Sequence, residues 1–117
     1  MPGYMLLLHS PTSEKGDLSA EEIQAVIGEY MAWKDEIEAQ DRLLGGDKLT
    51  DDGGKHLRMV DGGEIRVTDG PYTEVKEALG GFFAIKASGY DEAVEISKTC
   101  PHLKYGGRIE LREIHEH

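Results

Sequence analysis

The run TDGPYTEVKE, residues 68–77, packs two kinds of chemistry into ten positions. Asp69, Gly70 and Pro71 are turn formers: the acid caps, the glycine is expected to supply a positive φ, and the proline fixes the exit. Asp69 is also placed to point into the mouth of a site, with Tyr72 beside it. On a helical turn Glu74 and Glu77 fall at i, i+3, where two carboxylates share a proton or hold a cation. A solvated turn with an ion pair to Lys76 is the competing reading. These residues make Asp69 and Glu77 acid–base candidates and Gly70, Pro71 and Tyr72 candidates for ligand contact.

A second group comes from alternation near the C-terminus. In RIELRE, Ile109 and Leu111 share one face of a strand, and Glu110 and Arg112 share the other. The apolar pair belongs against helices, which leaves Glu110 and Arg112, with Arg58 and Arg66, on an opposite face. Charges that become buried there must be paired. One reading is structural ion pairing between subunits. The other is a pocket in which Arg58 and Arg112 grip a small anionic ligand through bidentate hydrogen bonds. His102, after Cys100 and Pro101, is a third acid–base candidate. A Cys100–His102 pair is disfavoured because near neighbours seldom point at each other. His115 and His117 flank Glu116 like a chelate, but they sit on a tail expected to fray. His9 closes a buried strand as a satisfied core residue. No zinc, phosphate-loop or dinucleotide signature is present, so no metal and no cofactor is expected.

The positioning elements follow from period and punctuation. Tyr4–His9 reads as a central strand buried on both faces. Ser19-Ala-Glu-Glu22 is a capping box, with Leu18 and Ile23 as a hydrophobic staple. It opens a helix expected over Ala20–Asp41, with Ile23, Val26, Ile27, Tyr30 and Ile37 as its apolar stripe and Lys34 as the polar member. DDGG (residues 51–54) and DGG (residues 61–63) are hairpin-turn signals flanking two alternating strands. In these, Leu57, Met59, Ile65 and Val67 share one face. Leu79–Ala87 is a further strand, Tyr90–Thr99 a second helix ended by Pro101, and Arg108–Ile114 the last strand. The order matches the split βαβ arrangement of ferredoxin-like βαββαβ α+β sandwiches. Both helices then cover one sheet face, and the bare face points to a homodimer packed sheet on sheet.

The chain has 117 residues, 23 acids and 13 bases, for a net charge of −10. It is sized for a single domain over 1–117. The acidic balance excludes nucleic acid as a natural partner and gives no support to an anionic membrane surface. One cysteine cannot close an internal disulfide, and no leader or membrane-spanning run is evident, so a cytoplasmic setting is expected.

DGPYTEVKE followed by LGGFFAI resembles the signature of YCII-related proteins, in their DGPF-domain branch. YMLLL, RLLGGDKL, LRMV, DEAVEISKTCPHL and GGRIELREI extend the resemblance along nearly the whole chain. Tyr72 stands where the branch has Phe. The resemblance implies a dimeric α+β barrel of two facing ferredoxin-like sheets. It implies no settled activity. Members of the wider family are proposed to use a His on the first helix beside an acid, and counting back from RLL puts Tyr30 at that position. Two functions remain open: a small-molecule pocket at the DGPY motif with acid–base chemistry, and a non-catalytic regulatory or interaction module of the kind associated with sigma factors. A raised-pKa carboxylate in an enclosed pocket favours the first, and a solid, fully ion-paired barrel interior favours the second.

Overall fold

The computed structural model describes residues 1–11, 19–70 and 77–116. In chain order they form β1 (Gly3–Pro11), α1 (Ala20–Ala39), β2 (Leu43–Lys48), β3 (Lys55–Met59), β4 (Ile65–Asp69), β5 (Glu77–Lys86), α2 (Tyr90–Ser97), a short 3-10 turn (Pro101–Tyr105) and β6 (Arg108–Glu113). Four strands make one antiparallel sheet in the order β2-β5-β1-β6. The other two, β3 and β4, pair only with each other.

Alternation decides which side of the main sheet is core. Tyr4, Leu6 and Leu8 of β1 and Phe83 and Ile85 of β5 point to the side covered by the helices, and all are buried. Met5 and Leu7 on the other side are only half-buried. The expectation that β1 is buried on both faces therefore fails within one chain: the strand is central, but only one of its faces is covered. Trp33 and Ile37 of α1 complete the core, with Trp33 edge-on to Phe83 at 5.0 Å between ring centroids. The indole N–H of Trp33 donates to the Thr99 hydroxyl at 2.8 Å, which satisfies the one polar atom this ring brings inside.

The capping box forms as the sequence requires. Glu22 N–H donates to the Ser19 hydroxyl at 3.1 Å, and Ser19 N–H donates to the Glu22 carboxylate at 3.2 Å. Leu18, the other half of the staple, lies outside the described residues. The expected stripe is buried only toward its C-terminal end. Ile23, Ile27 and Met31 stay exposed, because the N-terminal half of α1 stands off the sheet.

Two findings concern the glycine-rich stretch between α1 and β5. Residues 43–48, to which the sequence pattern assigns no element, form β2, the edge strand of the main sheet. Gly46 sits there because a Cβ would meet the Phe83 ring at 2.7 Å and the Phe82 carbonyl at 2.8 Å. Accordingly DDGG joins two different sheets instead of closing a hairpin, while DGG does close one, with Gly62 and Gly63 at φ 87° and 82°. Gly70 was expected at positive φ and is not there. It is small for a different reason: its N–H donates to the Gly54 carbonyl at 2.9 Å, and a Cβ would overlap the Gly53 carbonyl and the His56 ring.

Candidate functional site

The helix stand-off leaves a cleft of about 380 Å³ between α1 and the covered face of β2, β5 and the end of β1. Its floor is Gly46, Gly80 and Gly81, where the sheet offers backbone without side chains. Its walls are mostly apolar: Leu8 and Phe83 from the sheet, Ile27 and Met31 from α1, and Tyr105 from the 3-10 turn. The polar residues among them are Ser10, Tyr30, Lys34, Asp47, Lys48 and His102. An apolar cleft with few polar groups in fixed places is the usual form of a small-molecule site.

Tyr30 and His102 are joined across this cleft wall. The Tyr30 hydroxyl lies 2.9 Å from His102 Nδ1, and His102 Nε2 lies 2.8 Å from the backbone carbonyl of His9. A carbonyl only accepts, so the proton is on Nε2. In the neutral ring Nδ1 is then an acceptor, and Tyr30 donates to it. The phenol oxygen keeps lone pairs for a second partner. Burial pushes the Tyr30 pKa up to about 12, so at neutral pH the group is a phenol, not a phenolate. The arrangement can take a proton from a ligand at the Tyr30 oxygen while passing the phenolic proton to Nδ1. His102 is itself buried, held by a pre-organised main-chain bond. Gly107 makes room for it, since a Cβ there would overlap the imidazole.

The other expected residues lie elsewhere. Asp69 ends β4, is largely exposed, and is ion-paired with Lys55 directly across the hairpin. Gly70 follows at the base of the hairpin. Pro71, Tyr72, Glu74 and Lys76 lie outside the described residues, as does His117. Glu77 is on the uncovered face of the main sheet, holding Arg108 through three contacts of 2.8–3.1 Å. That grip holds its carboxyl below the usual carboxylate range.

On the same face Glu110 bridges His9 Nε2 at 3.0 Å and Arg112 at 3.0 Å, and its pKa is lowered chiefly by the arginine. The alternation of Ile109 and Leu111 against Glu110 and Arg112 is as the sequence indicates. Arg58 is on the hairpin, opposite Arg66, and no contact joins it to Arg112 within one chain. His9 is not a core residue by its side chain, which faces the open side. Only its carbonyl serves the cleft. Cys100 is buried, and burial raises its thiol pKa, which suits a packing residue and not a nucleophile.

Of the candidates, His102 alone is in the cleft among the described residues. Its partner Tyr30 was marked in the sequence as the residue in a histidine's place, and Lys34 as a polar break in an apolar stripe. Their convergence with His102 had no local signal, because it spans 72 positions of chain.

No helix is long and apolar enough to cross a membrane among the described residues. No curated protein matches this sequence. The family model described as YCII-related domain matches residues 4–117, nearly the full length. The chain therefore belongs to the YCII-related family.

Proposed function

We propose that the protein binds a small molecule in the cleft beside α1 and performs acid–base chemistry on it through Tyr30 and His102. The observation that carries this reading is the Tyr30–His102–His9 carbonyl chain of 2.9 and 2.8 Å, ending at an apolar cleft. A buried imidazole needs no tyrosine to be satisfied. This one has both nitrogens occupied in a way that fixes the tautomer and leaves the phenol oxygen available to a ligand. This reading sets the polar groups at the cleft wall, while Pro71 and Tyr72 of the DGPY motif lie outside the described residues. A metabolite screen by saturation-transfer NMR tests it: ligands should bind the wild type and lose affinity at least tenfold in Tyr30→Phe. A screen in which every hit survives both Tyr30→Phe and His102→Gln overturns the assignment of the pair.

The finer architecture is part of the same proposal. The strand order β2-β5-β1-β6, with α1 and α2 as crossovers, supports a ferredoxin-like core carrying β3–β4 as an insertion. Half-exposed Met5, Leu7 and Phe82 support a homodimer closed over the uncovered face. Size-exclusion chromatography with light scattering should then give about twice 12.9 kDa. A monomer at micromolar concentration overturns the barrel.

An interaction module is favoured by one specific feature. Leu57, Met59, Ile65 and Val67 line up on one hairpin face with 51–68% of their surface exposed. An isolated hairpin is marginal in water, and this face has the character of a surface that a partner covers.

A further inference from the structure

Lys34 is the unexplained charge of the cleft. Among the described lysines and arginines, only Lys34, Arg58 and Arg66 have no carboxylate within ion-pair distance; every other one has such a partner. Arg58 and Arg66 are exposed on the hairpin, where water solvates them. Lys34 is half-buried and lines the cleft. Partners are not scarce in a chain with 23 acids. Glu38 lies one turn along the same helix, at the i, i+4 distance that often pairs, yet no bond forms. The other cationic group at the rim, Lys48, is held by Asp51 at 3.3 Å and the Leu49 carbonyl at 2.8 Å. Asp47 also lines the cleft, and strand alternation with Gly46 and Lys48 sets its side chain toward the opposite face of β2.

Lys34 is a half-buried residue that lines an apolar cleft with no carboxylate partner among the described residues, so its charge is open to an anion that enters there. One such charge among Ile27, Met31, Leu8 and Phe83 describes an amphipathic complement: one negative group and an apolar body. A single flexible ammonium, without an arginine fork, fits one negative charge better than a doubly charged phosphate. We propose that the cleft binds small carboxylic acids with an apolar tail, the carboxylate held by Lys34 and the tail lying over the glycine floor. This rests on the reading of the cleft as a ligand site.

The test compares hexanoate with hexanamide, which has the same tail and no charge. Each is titrated into isotopically labelled protein at neutral pH while the ring signals of Tyr30 and His102 are followed. Hexanoate is expected to shift them with a Kd at least tenfold lower than hexanamide. Lys34→Met, which keeps the length and apolar stem, should erase that preference while hexanamide binding persists. Lys34→Arg should retain it. Circular dichroism of each variant confirms an intact fold. Equal affinities for the two probes in the wild type, or a preference that survives Lys34→Met, overturns the carboxylate inference and leaves the cleft reading standing. Failure of both probes to shift either ring overturns the inference as well, and a broader metabolite screen that also fails takes the cleft reading with it.

Discussion

The two faces of the four-stranded sheet handle polar groups in opposite ways. Around His102 on the covered face, and apart from Lys34 at the cleft, polarity is neutral and directional: a phenol, an imidazole and a main-chain carbonyl in series. On the uncovered face it is ionic and short-ranged: Glu77 with Arg108, and Glu110 between His9 and Arg112. The difference follows from water. Where the helices exclude solvent, an ion would need full compensation, and neutral hydrogen bonds cost less to bury. Where solvent remains, ion pairs are cheap to form and contribute little to stability. His9 takes part in both, with its carbonyl on one side and its imidazole on the other.

The largest contrast between the faces lies in packing. Leu6 is fully buried, and Leu6→Ala should lower the unfolding free energy by about 2–5 kcal/mol in urea titrations. Leu7→Ala, one residue along and facing the other way, should cost a monomer far less. A large loss at Leu7 means that the second face is covered in solution, and light scattering on that variant would then show dissociation.

Next in size is Gly107→Ala. The methyl group overlaps the His102 ring, so the imidazole must move or the backbone must shift, at about 1–3 kcal/mol. The His102 signal should lose the marks of its bond to Tyr30. A variant as stable as the wild type with an unchanged His102 signal removes the claim that this position protects the site.

A smaller effect separates the faces by pH. The Tyr30 phenol binds its proton more tightly folded than unfolded, since burial raises its pKa from 10.0 to about 12. That contribution to stability is complete below pH 10 and is lost as pH rises toward 12. In absorbance titration at alkaline pH, the difference between wild type and Tyr30→Phe should show a midpoint near 12. A midpoint at 10 places Tyr30 in free solvent. On the open face the sign is reversed. Glu77 and Glu110 have lowered pKa values, so their contribution is present above the ordinary carboxylate pKa of 4.5 and fades as pH falls below it. In a monomer the smallest change is expected from Glu110→Gln in 0.15 M salt, on the order of experimental error in Tm, because the pair is then open to solvent and screened; a large loss means, as at Leu7, that this face is covered.

Much of this frame could be read from residue order. The capping box, the alternation of Ile109 and Leu111 with Glu110 and Arg112, the DGG turn and the apolar face of Leu57, Met59, Ile65 and Val67 are local patterns with local causes. β2 has no sequence signal because two adjacent glycines, Gly45 and Gly46, interrupt any alternation, and only the approach of Phe83 explains why the strand needs glycine at 46. Gly70 was given the wrong reason for the same cause: crowding by His56 and Gly53 is a tertiary fact. Of the cleft's polar residues only His102 is a site candidate in the sequence; Tyr30 stands out there as the residue in a histidine's place and Lys34 as the polar member of a stripe, and nothing local joins the three. The acids that drew attention first, Asp69 and Glu77, have partners in Lys55 and Arg108 that no spacing rule reveals.

Gly107 has a consequence for reading related chains. It contributes no functional atom, so a search for reactive side chains passes over it. Yet it is a vacancy with a definite shape, occupied by a ring from five positions earlier in the chain. A relative that keeps the tyrosine and the histidine but carries a bulkier residue at this position has the letters of the pair without room for its geometry. The aligned column to consult for whether the pair is intact is then a silent one, and glycine there says more about the imidazole than the histidine does.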